Sequence, residues 1–341
     1  MENYLEALRT ALQNGEDAVL AAVIGSAGSA PRGPGAQMLI TPKRVCGTIG
    51  GGVMEHKAEQ LAREVLAEKR SRTQLFPLHP DGEGGLGAVC GGDVTVRFQY
   101  LPEQDTAVRA AAEGAVALLA SGEKSWMFLN LTAENEGGLS VYGVQRGVCG
   151  APVPKQALER LGALPAQIES EGSTYFVQPL VRGGRVYIFG GGHVAQALVP
   201  VLSSVDFRCV VLEDRAEFCN PALFPGAEEV RLIDMKRIGD FVQVGPEDFI
   251  CIMTRGHADD FTSEVFALRT PARYIGLMGS RTKVAFVHEK LREAGFTDAD
   301  LARVTTPIGL DIQSETPAEI AVSIAAQLIC VRAQSDRQSQ A

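Results

Sequence analysis

The stretch that most constrains the fold of this chain is residues 185–195, RVYIFGGGHVA. The apolar run 186–189 has the length and residue types of a buried strand. Three glycines follow it, and apolar residues then recur at helical spacing through Val194, Ala195, Leu198 and Val199. A strand, a glycine turn and a helix in this order predict the first unit of a doubly wound α/β fold.

The glycine turn also fits the fingerprint of a nucleotide-binding loop. Gly190, Gly192 and Ala195 match G-x-G-x-x-A, in which backbone approaches a pyrophosphate at the start of a helix. A second apolar strand, 209–212, ends in Glu213 and Asp214, about where an acid that binds a ribose hydroxyl belongs. We predict that these glycines, His193 and the two acids bind a cofactor. The alternative is a structural turn that holds no ligand.

Strands and helices alternate through the rest of this half. The pattern predicts strands at 185–189, 208–213, 229–233, 248–253 and 273–277, with helices from about 193 and over 283–294. This alternation predicts a parallel sheet with helices on both faces. Thr316, Pro317 and Glu319 predict the start of the last helix, and Pro200 is expected to kink or end the first helix.

Three further polar residues follow predicted strands of this sheet. His257 comes after the 248–253 strand, and Ser280 and Arg281 come after the 273–277 strand. The carboxyl ends of parallel strands open into a ligand crevice, so we predict that all three contact a cofactor. The alternatives are an ordinary hydrogen-bonded histidine and a serine that caps the next helix.

Glycine-rich stretches also mark the first hundred residues, at 25–41, 46–52 and 82–92. Glycine admits unusual backbone angles, and its exposed N–H groups can bind phosphate or carboxylate. We therefore predict an anion-binding pocket that includes Arg32 and the glycines Gly50, Gly51 and Gly52. The alternative is that a small β-rich domain needs glycine in its turns. Glu55 begins the helix after the second stretch, where a carboxylate also complements the helix dipole.

The residues between 106 and 182 carry no catalytic pattern. They predict a helix at 107–119, a hairpin from strands 126–131 and 139–144, and a strand at 175–180. We predict a glycine-rich α+β domain over 1–182, which includes this region, a Rossmann-like nucleotide-binding domain over 183–333, and a disordered tail at 334–341. The fold class is α/β.

Composition narrows the function. The net charge of −9 disfavours binding to nucleic acid, which needs a basic surface. The N-terminus has acids where a signal peptide is basic, and its apolar run is too short to cross a bilayer, so we expect a cytoplasmic protein without membrane contact. The seven cysteines form no C-x-x-C pair, so we expect neither a disulfide framework nor a metal site.

Taken together, these stretches resemble the XdhC/CoxI family of accessory proteins for molybdenum hydroxylases such as xanthine dehydrogenase. The resemblance covers most of residues 15–105 and 180–330. In the first half it rests on residues 25–32, 35–38, 47–55 and 90–92; in the second, on 190–195, 213–215, 254–257, 275–281, 307–311 and 316–324. Glu213 stands where the family commonly has Asp, which leaves the nucleotide preference open.

The resemblance implies a maturation factor rather than an enzyme. Such proteins bind the molybdenum cofactor, support its sulfuration by a cysteine desulfurase and insert it into the apo-hydroxylase. Cys90, between glycines, is then a candidate for sulfur relay or cofactor contact, with Cys46 second, although free cysteines are often buried hydrophobes. The cofactor is molybdopterin, either as such or in its dinucleotide form. The oligomeric state is left open, with a homodimer as one possibility.

An NAD(P)-dependent oxidoreductase is the alternative that the Rossmann-like half allows, because a fold does not determine a function. In that reading NAD(P) would be the bound nucleotide. The first half offers only His56 and His79 as histidine acid–base candidates, which favours the maturation factor.

Overall fold

The computed structural model describes residues 4–78, 91–134, 138–181 and 183–338 of the chain. The chain divides into two compact units, one formed by residues 1–182 together with 336–341 and the other by 183–335. The first unit is α+β and the second carries a parallel sheet, which confirms the predicted fold class.

The described part of the first unit contains two five-stranded antiparallel sheets. In sheet order β3-β2-β1-β5-β4, the first comprises β1 Ala18–Ala27, β2 Gln37–Ile40, β3 Val45–Thr48, β4 Arg72–Pro77 and β5 Asp93–Leu101. In order β8-β7-β6-β10-β9, the second comprises β6 Ser125–Asn130, β7 Leu139–Gly143, β8 Gly147–Gly150, β9 Ala166–Ser170 and β10 Ser173–Val181. The helices are α1 Tyr4–Gln13, α2 Gly52–Glu68, α3 Thr106–Ser121 and α4 Lys155–Leu158.

Strand β1 is buried on both faces, because the apolar residues of 18–23 point alternately to two cores. Val19, Ala21 and Val23 pack with α2 in one core. Ala18, Leu20 and Ala22 pack in the other with α1, α3 and residues of the second sheet. The first sheet is therefore covered on both sides.

The second unit contains a six-stranded sheet whose described strand pairs are all parallel. Its strands are β11 Val186–Phe189, β12 Cys209–Glu213, β13 Glu229–Leu232, β14 Phe249–Ile252, β15 Tyr274–Leu277 and β16 Val304–Thr305. Its helices are α5 His193–Ser204, α6 His257–Leu268, α7 Arg281–Glu293, α8 Asp298–Leu301 and α9 Pro317–Gln338. The order β13-β12-β11-β14-β15-β16 is that of a Rossmann fold, with β11 as its first strand.

Apolar helix faces cover both sides of this sheet. One core holds residues of α6, α7 and the 3₁₀ turn Met235–Asp240, and the other holds residues of α5 and α9. The strands therefore read as continuous apolar runs, as expected for a sheet buried on both faces.

Two expectations about helix ends were wrong. Helix α5 continues through Pro200 to Ser204, since a proline near a helix end removes only one hydrogen bond. Helix α9 continues past residue 334 to Gln338, where we expected a disordered tail. Its predicted start is confirmed: Thr316 N donates to Glu319 Oε2 at 2.9 Å and Glu319 N donates to Thr316 Oγ1 at 3.3 Å. Among the described residues, no helix is both long and apolar enough to cross a bilayer.

Candidate functional site

The strand order of the second unit reverses between β11 and β14, which lie side by side. Because all the strands run parallel, the segments that follow them emerge at one edge of the sheet. The glycine turn, Glu213 and Asp214, His257, and Ser280 with Arg281 all follow such strands. The fold thus brings the predicted residues of this half to the edge where doubly wound proteins bind their ligands.

Two glycines of the turn have different structural roles. Gly190 has φ +102°, and a Cβ at this position would lie 2.5 Å from the carbonyl oxygen of Met253. Only glycine fits there, because the turn passes directly against the end of β14. Gly192 has an ordinary φ of −69° and directly precedes the first residue of α5. A Cβ on Gly192 would meet nothing within 4 Å, so this position is open to a ligand.

Three helices begin at this same edge. His193, Arg281 and His257 are the first residues of α5, α7 and α6, and the side chains of His193 and Ser280 are exposed. Helix N-termini present free N–H groups and the positive end of a dipole, which favours an anionic ligand. Whether these four residues contact a cofactor stays a prediction.

The Glu213 carboxylate is buried, with 1% of its side chain exposed, and it is fully engaged within the protein. Its Oε2 accepts from Gly191 N at 2.6 Å and Arg215 Nη2 at 2.8 Å. Its Oε1 accepts from the backbone N–H groups of Asp214 and Arg215, each at 3.0 Å, and from Arg215 Nε at 2.9 Å. Burial acts to raise the pKa of Glu213, but these hydrogen bonds outweigh it and bring the pKa to about 2.

This arrangement gives Glu213 a structural role beside the predicted ribose contact. Its carboxylate ties the end of β12 to the glycine turn after β11, and Arg215, which also stacks 3.9 Å above the Phe218 ring, closes the cluster. Asp214 is 44% exposed, so it is the acid of the predicted pair that solvent and a ligand can reach. A hydrogen bond with Glu213 raises the pKa of Asp214.

In the first unit, the glycine-rich loops lie against one another. A Cβ on Gly50 would lie 3.1 Å from Pro31 Cβ and 3.8 Å from Arg32 Cγ, and one on Gly28 would lie 3.2 Å from Gly92 Cα. The fold therefore brings Arg32, which is exposed, beside the turn that holds Gly50, Gly51 and Gly52.

Glu55 occupies the N–H groups of this turn. Its Oε2 accepts from Ile49 N and Gly51 N, both at 3.0 Å, and from the Thr48 hydroxyl. Burial acts to raise the pKa of Glu55, but the bonds from Thr48, Gly51 and Ile49 lower it overall. The chain thus supplies its own anion at the turn, and a cofactor contact by Glu55 stays a prediction.

Cys90 lies outside the described residues, so its role stays a prediction. Cys46 is part of β3 and half-buried. Cys209 and Cys251 are buried in the parallel sheet, where burial raises the pKa of both thiols, to about 12 for Cys209. Across the described ranges, no cluster of His, Cys, Asp and Glu could hold a metal ion.

Sequence reasoning missed two features. The first is the bond between Gly191 and Glu213, for which the fingerprint carries no signal. The second is a cavity in the first unit lined by Arg70, Arg72 and Arg97. The one available signal was an arginine inside the alternating strand 94–100, whose polar side chains we expected to face solvent.

Comparison with known proteins agrees with this architecture. A family model described as the XdhC Rossmann domain matches residues 186–328, and one described as the XdhC and CoxI family matches residues 11–77. The chain belongs to the XdhC and CoxI family. The Rossmann match begins at β11 and covers the whole parallel sheet.

Relatives of this XdhC/CoxI chain extend over nearly its whole length. A Bacillus subtilis protein, named as one probable component of xanthine dehydrogenase, is 26% identical over 97% of the chain and 98% of its own length. Escherichia coli PaoD, named a molybdenum cofactor insertion chaperone, is 22% identical over 96% of the chain and 88% of its own length. Escherichia coli YqeB is 24% identical over 97% of the chain, which spans 46% of YqeB.

A solved structure shares the fold. The crystal structure of a Bacillus halodurans protein described as a xanthine dehydrogenase superposes with a TM-score of 0.77 at 25% identity. The match covers 100% of this XdhC/CoxI chain and 98% of the other.

Proposed function

We propose that this chain is a maturation factor that binds the molybdenum cofactor, supports its sulfuration and inserts it into a molybdenum hydroxylase. The observation that carries the proposal is similarity across both units to a protein named as a molybdenum cofactor insertion chaperone, within a family matched in both halves. The partners would be an apo-hydroxylase, which accepts the cofactor, and a cysteine desulfurase, which supplies sulfur.

The crevice of the second unit suits the phosphate or pyrophosphate of such a cofactor. Gly192 leaves open space beside the N-terminus of α5, where backbone can approach an anion closely. Asp214 is exposed at the same edge and could accept a hydrogen bond from a ribose hydroxyl. The bound cofactor would bring the molybdenum chemistry, and the chain would hold and release it.

Release is as important as binding for a factor that transfers its ligand. Contacts from backbone N–H groups and helix N-termini are reversible, whereas metal coordination by several side chains would hold the cofactor more firmly. The described residues offer contacts of the first kind and no cluster of potential metal ligands. Cys90 is proposed as the sulfur relay or cofactor contact, beside Arg32 and the glycine turn.

The test is an anaerobic titration of the purified protein with molybdenum cofactor, following bound molybdenum and pterin fluorescence. Wild type should bind stoichiometrically. Gly192→Asp, which places a carboxylate at the open position, should weaken binding, while the uncharged Gly192→Ala serves as the matched control. Cys90→Ser should retain binding or lose it according to whether the thiol contacts the cofactor, and it should lower hydroxylase maturation in either case.

Two results would contradict the proposal. One is the absence of cofactor binding together with steady turnover of NAD(P)H on a small substrate, which would identify an oxidoreductase. The other is a hydroxylase that reaches full activity without this chain. Undiminished maturation with Cys90→Ser would remove only the sulfur-relay role.

A further inference from the structure

A cavity of about 450 Å³ in the first unit is lined by three arginines. It lies where the end of α2 leads into the edge strand β4, beside residues 131–134, which follow β6. None of the residues predicted to bind the cofactor lines it. Its arginines stand out in a chain whose net charge is −9.

The arginine on the central part of β5, Arg97, is only 4% exposed although it lines this cavity. Its Nε donates to Gln99 Oε1 at 2.9 Å, its Nη1 to Thr73 Oγ1 at 3.4 Å and its Nη2 to the carbonyl oxygen of Ala133. All three acceptors are neutral oxygens. A guanidinium has five N–H donors, so these bonds leave donor capacity unused.

Burial lowers the pKa of Arg97 to about 10, so the guanidinium still carries its charge at neutral pH. Glu134 acts in the opposite direction through space, but its carboxylate is hydrogen-bonded to Arg70 Nη2 at 2.6 Å. A buried charge without a bonded counter-ion is unfavourable, and an anion bound beside it would relieve that cost.

The two arginines nearer solvent are held only by exposed ion pairs. Arg70 pairs with Glu134, with 62% and 59% of the side chains exposed. Arg72 pairs with Glu64 at 2.6 Å, with 33% and 55% exposed. Exposed pairs of this kind contribute little, so an anion of higher charge can replace the glutamates. Arg72 Nε is buried and has no hydrogen-bond partner among the described residues.

We infer that this cavity binds a phosphate group, as inorganic phosphate or as a small phosphate monoester, between buried Arg97 and the more exposed Arg70 and Arg72. Guanidinium groups donate paired N–H bonds to tetrahedral oxyanions, and several of them together favour a doubly charged anion over a singly charged one. The site belongs to the first unit and does not depend on the function proposed for the chain.

The test is calorimetric titration of the full chain at constant ionic strength with inorganic phosphate and, separately, glycerol phosphate. Wild type should show one saturable site for one or both. Replacing Arg70 and Arg72 together by glutamine should weaken binding about tenfold or more, the loss expected for charge-assisted hydrogen bonds. Arg63→Gln, which breaks an exposed pair with Glu59 on α2, is the matched control and should change affinity less than about twofold.

Several results would overturn the inference. These are no saturable binding by wild type, an equal response to acetate at the same ionic strength, or unchanged affinity in the double variant. Urea unfolding of the double variant guards against a trivial loss, since breaking exposed pairs should leave the unfolding midpoint near that of wild type. Tighter binding of the ester than of inorganic phosphate would identify a small phosphorylated molecule as the occupant, and the reverse order would identify free phosphate.

Discussion

The backbone N–H of Gly191 donates to Glu213 Oε2 at 2.6 Å, which joins the glycine turn after β11 to the end of the neighbouring strand β12. Arg215 Nη2 donates to the same oxygen at 2.8 Å. The shape of the turn that faces the ligand edge therefore depends on a buried carboxylate more than twenty positions later in the chain.

Glu213→Ala should lower the free energy of unfolding of the second unit by about 3 kcal/mol, because it leaves Arg215 and the N–H of Gly191 without their buried partner. Urea unfolding measures the change. Glu229→Ala, which removes an exposed pair with Arg231 on β13, is the control and should cost less than about 1 kcal/mol. Equal losses in the two variants would show that Glu213 has no special role.

The same carboxylate predicts a dependence on pH. The pKa of Glu213 is about 2 in the folded chain against an ordinary 4.5, so its contribution to stability is complete above 4.5 and is lost as the pH falls toward 2. The difference in unfolding free energy between wild type and Glu213→Gln should therefore shrink over that interval. Urea unfolding at a series of pH values tests this, and a difference independent of pH would contradict it.

Two glycines of the fingerprint should respond in opposite ways to alanine. Gly190→Ala should cost about 2–4 kcal/mol, because φ is positive and the new Cβ would meet the carbonyl oxygen of Met253. Gly192→Ala should change stability by no more than about 0.5 kcal/mol, since its φ is ordinary and its Cβ would meet open space. Thermal unfolding of the two variants compares them directly; similar stabilities would refute the different roles of the two positions.

Glu55→Ala should destabilise the first unit by about 1–3 kcal/mol, because the N–H groups of Ile49 and Gly51 lose their acceptor. Glu59→Ala, one turn further along α2, removes only an exposed pair with Arg63 and should cost about 0.5 kcal/mol or less. Hydrogen exchange of the N–H groups of residues 49–51 measures the local effect, and it should accelerate only in Glu55→Ala.

Local patterns predicted the elements of the second unit well. A buried parallel strand needs a continuous apolar run, and a helix on its face needs apolar residues at helical spacing, so both leave a mark in adjacent residues. The strands predicted at 185–189, 208–213 and 273–277 are confirmed within one residue at each end. Their common edge follows from parallel pairing, which places the candidate residues together.

Short strands of the first unit were harder to predict. Strand β3, Val45–Thr48, lies inside a stretch that the sequence indicated as a glycine turn, because it contains Gly47 and only four residues. It forms because β2 offers an antiparallel partner, and a Cβ at Gly47 would lie 2.5 Å from the carbonyl oxygen of Gln37 on that strand. Pairing between distant segments decides such a strand.

The sequence by itself determined the alternation of strand and helix, the glycine turn before α5 and the family of the chain, because each depends on residues that are close together. Only the tertiary structure decided which groups are occupied. Alternation in β5 did not reveal that Arg97 and Gln99 lie buried, at 4% and 0% exposure, since residues far along the chain cover that face. Nor did the fingerprint reveal that Glu213 binds Gly191, because hydrogen bonds between neighbouring strands depend on the packed sheet.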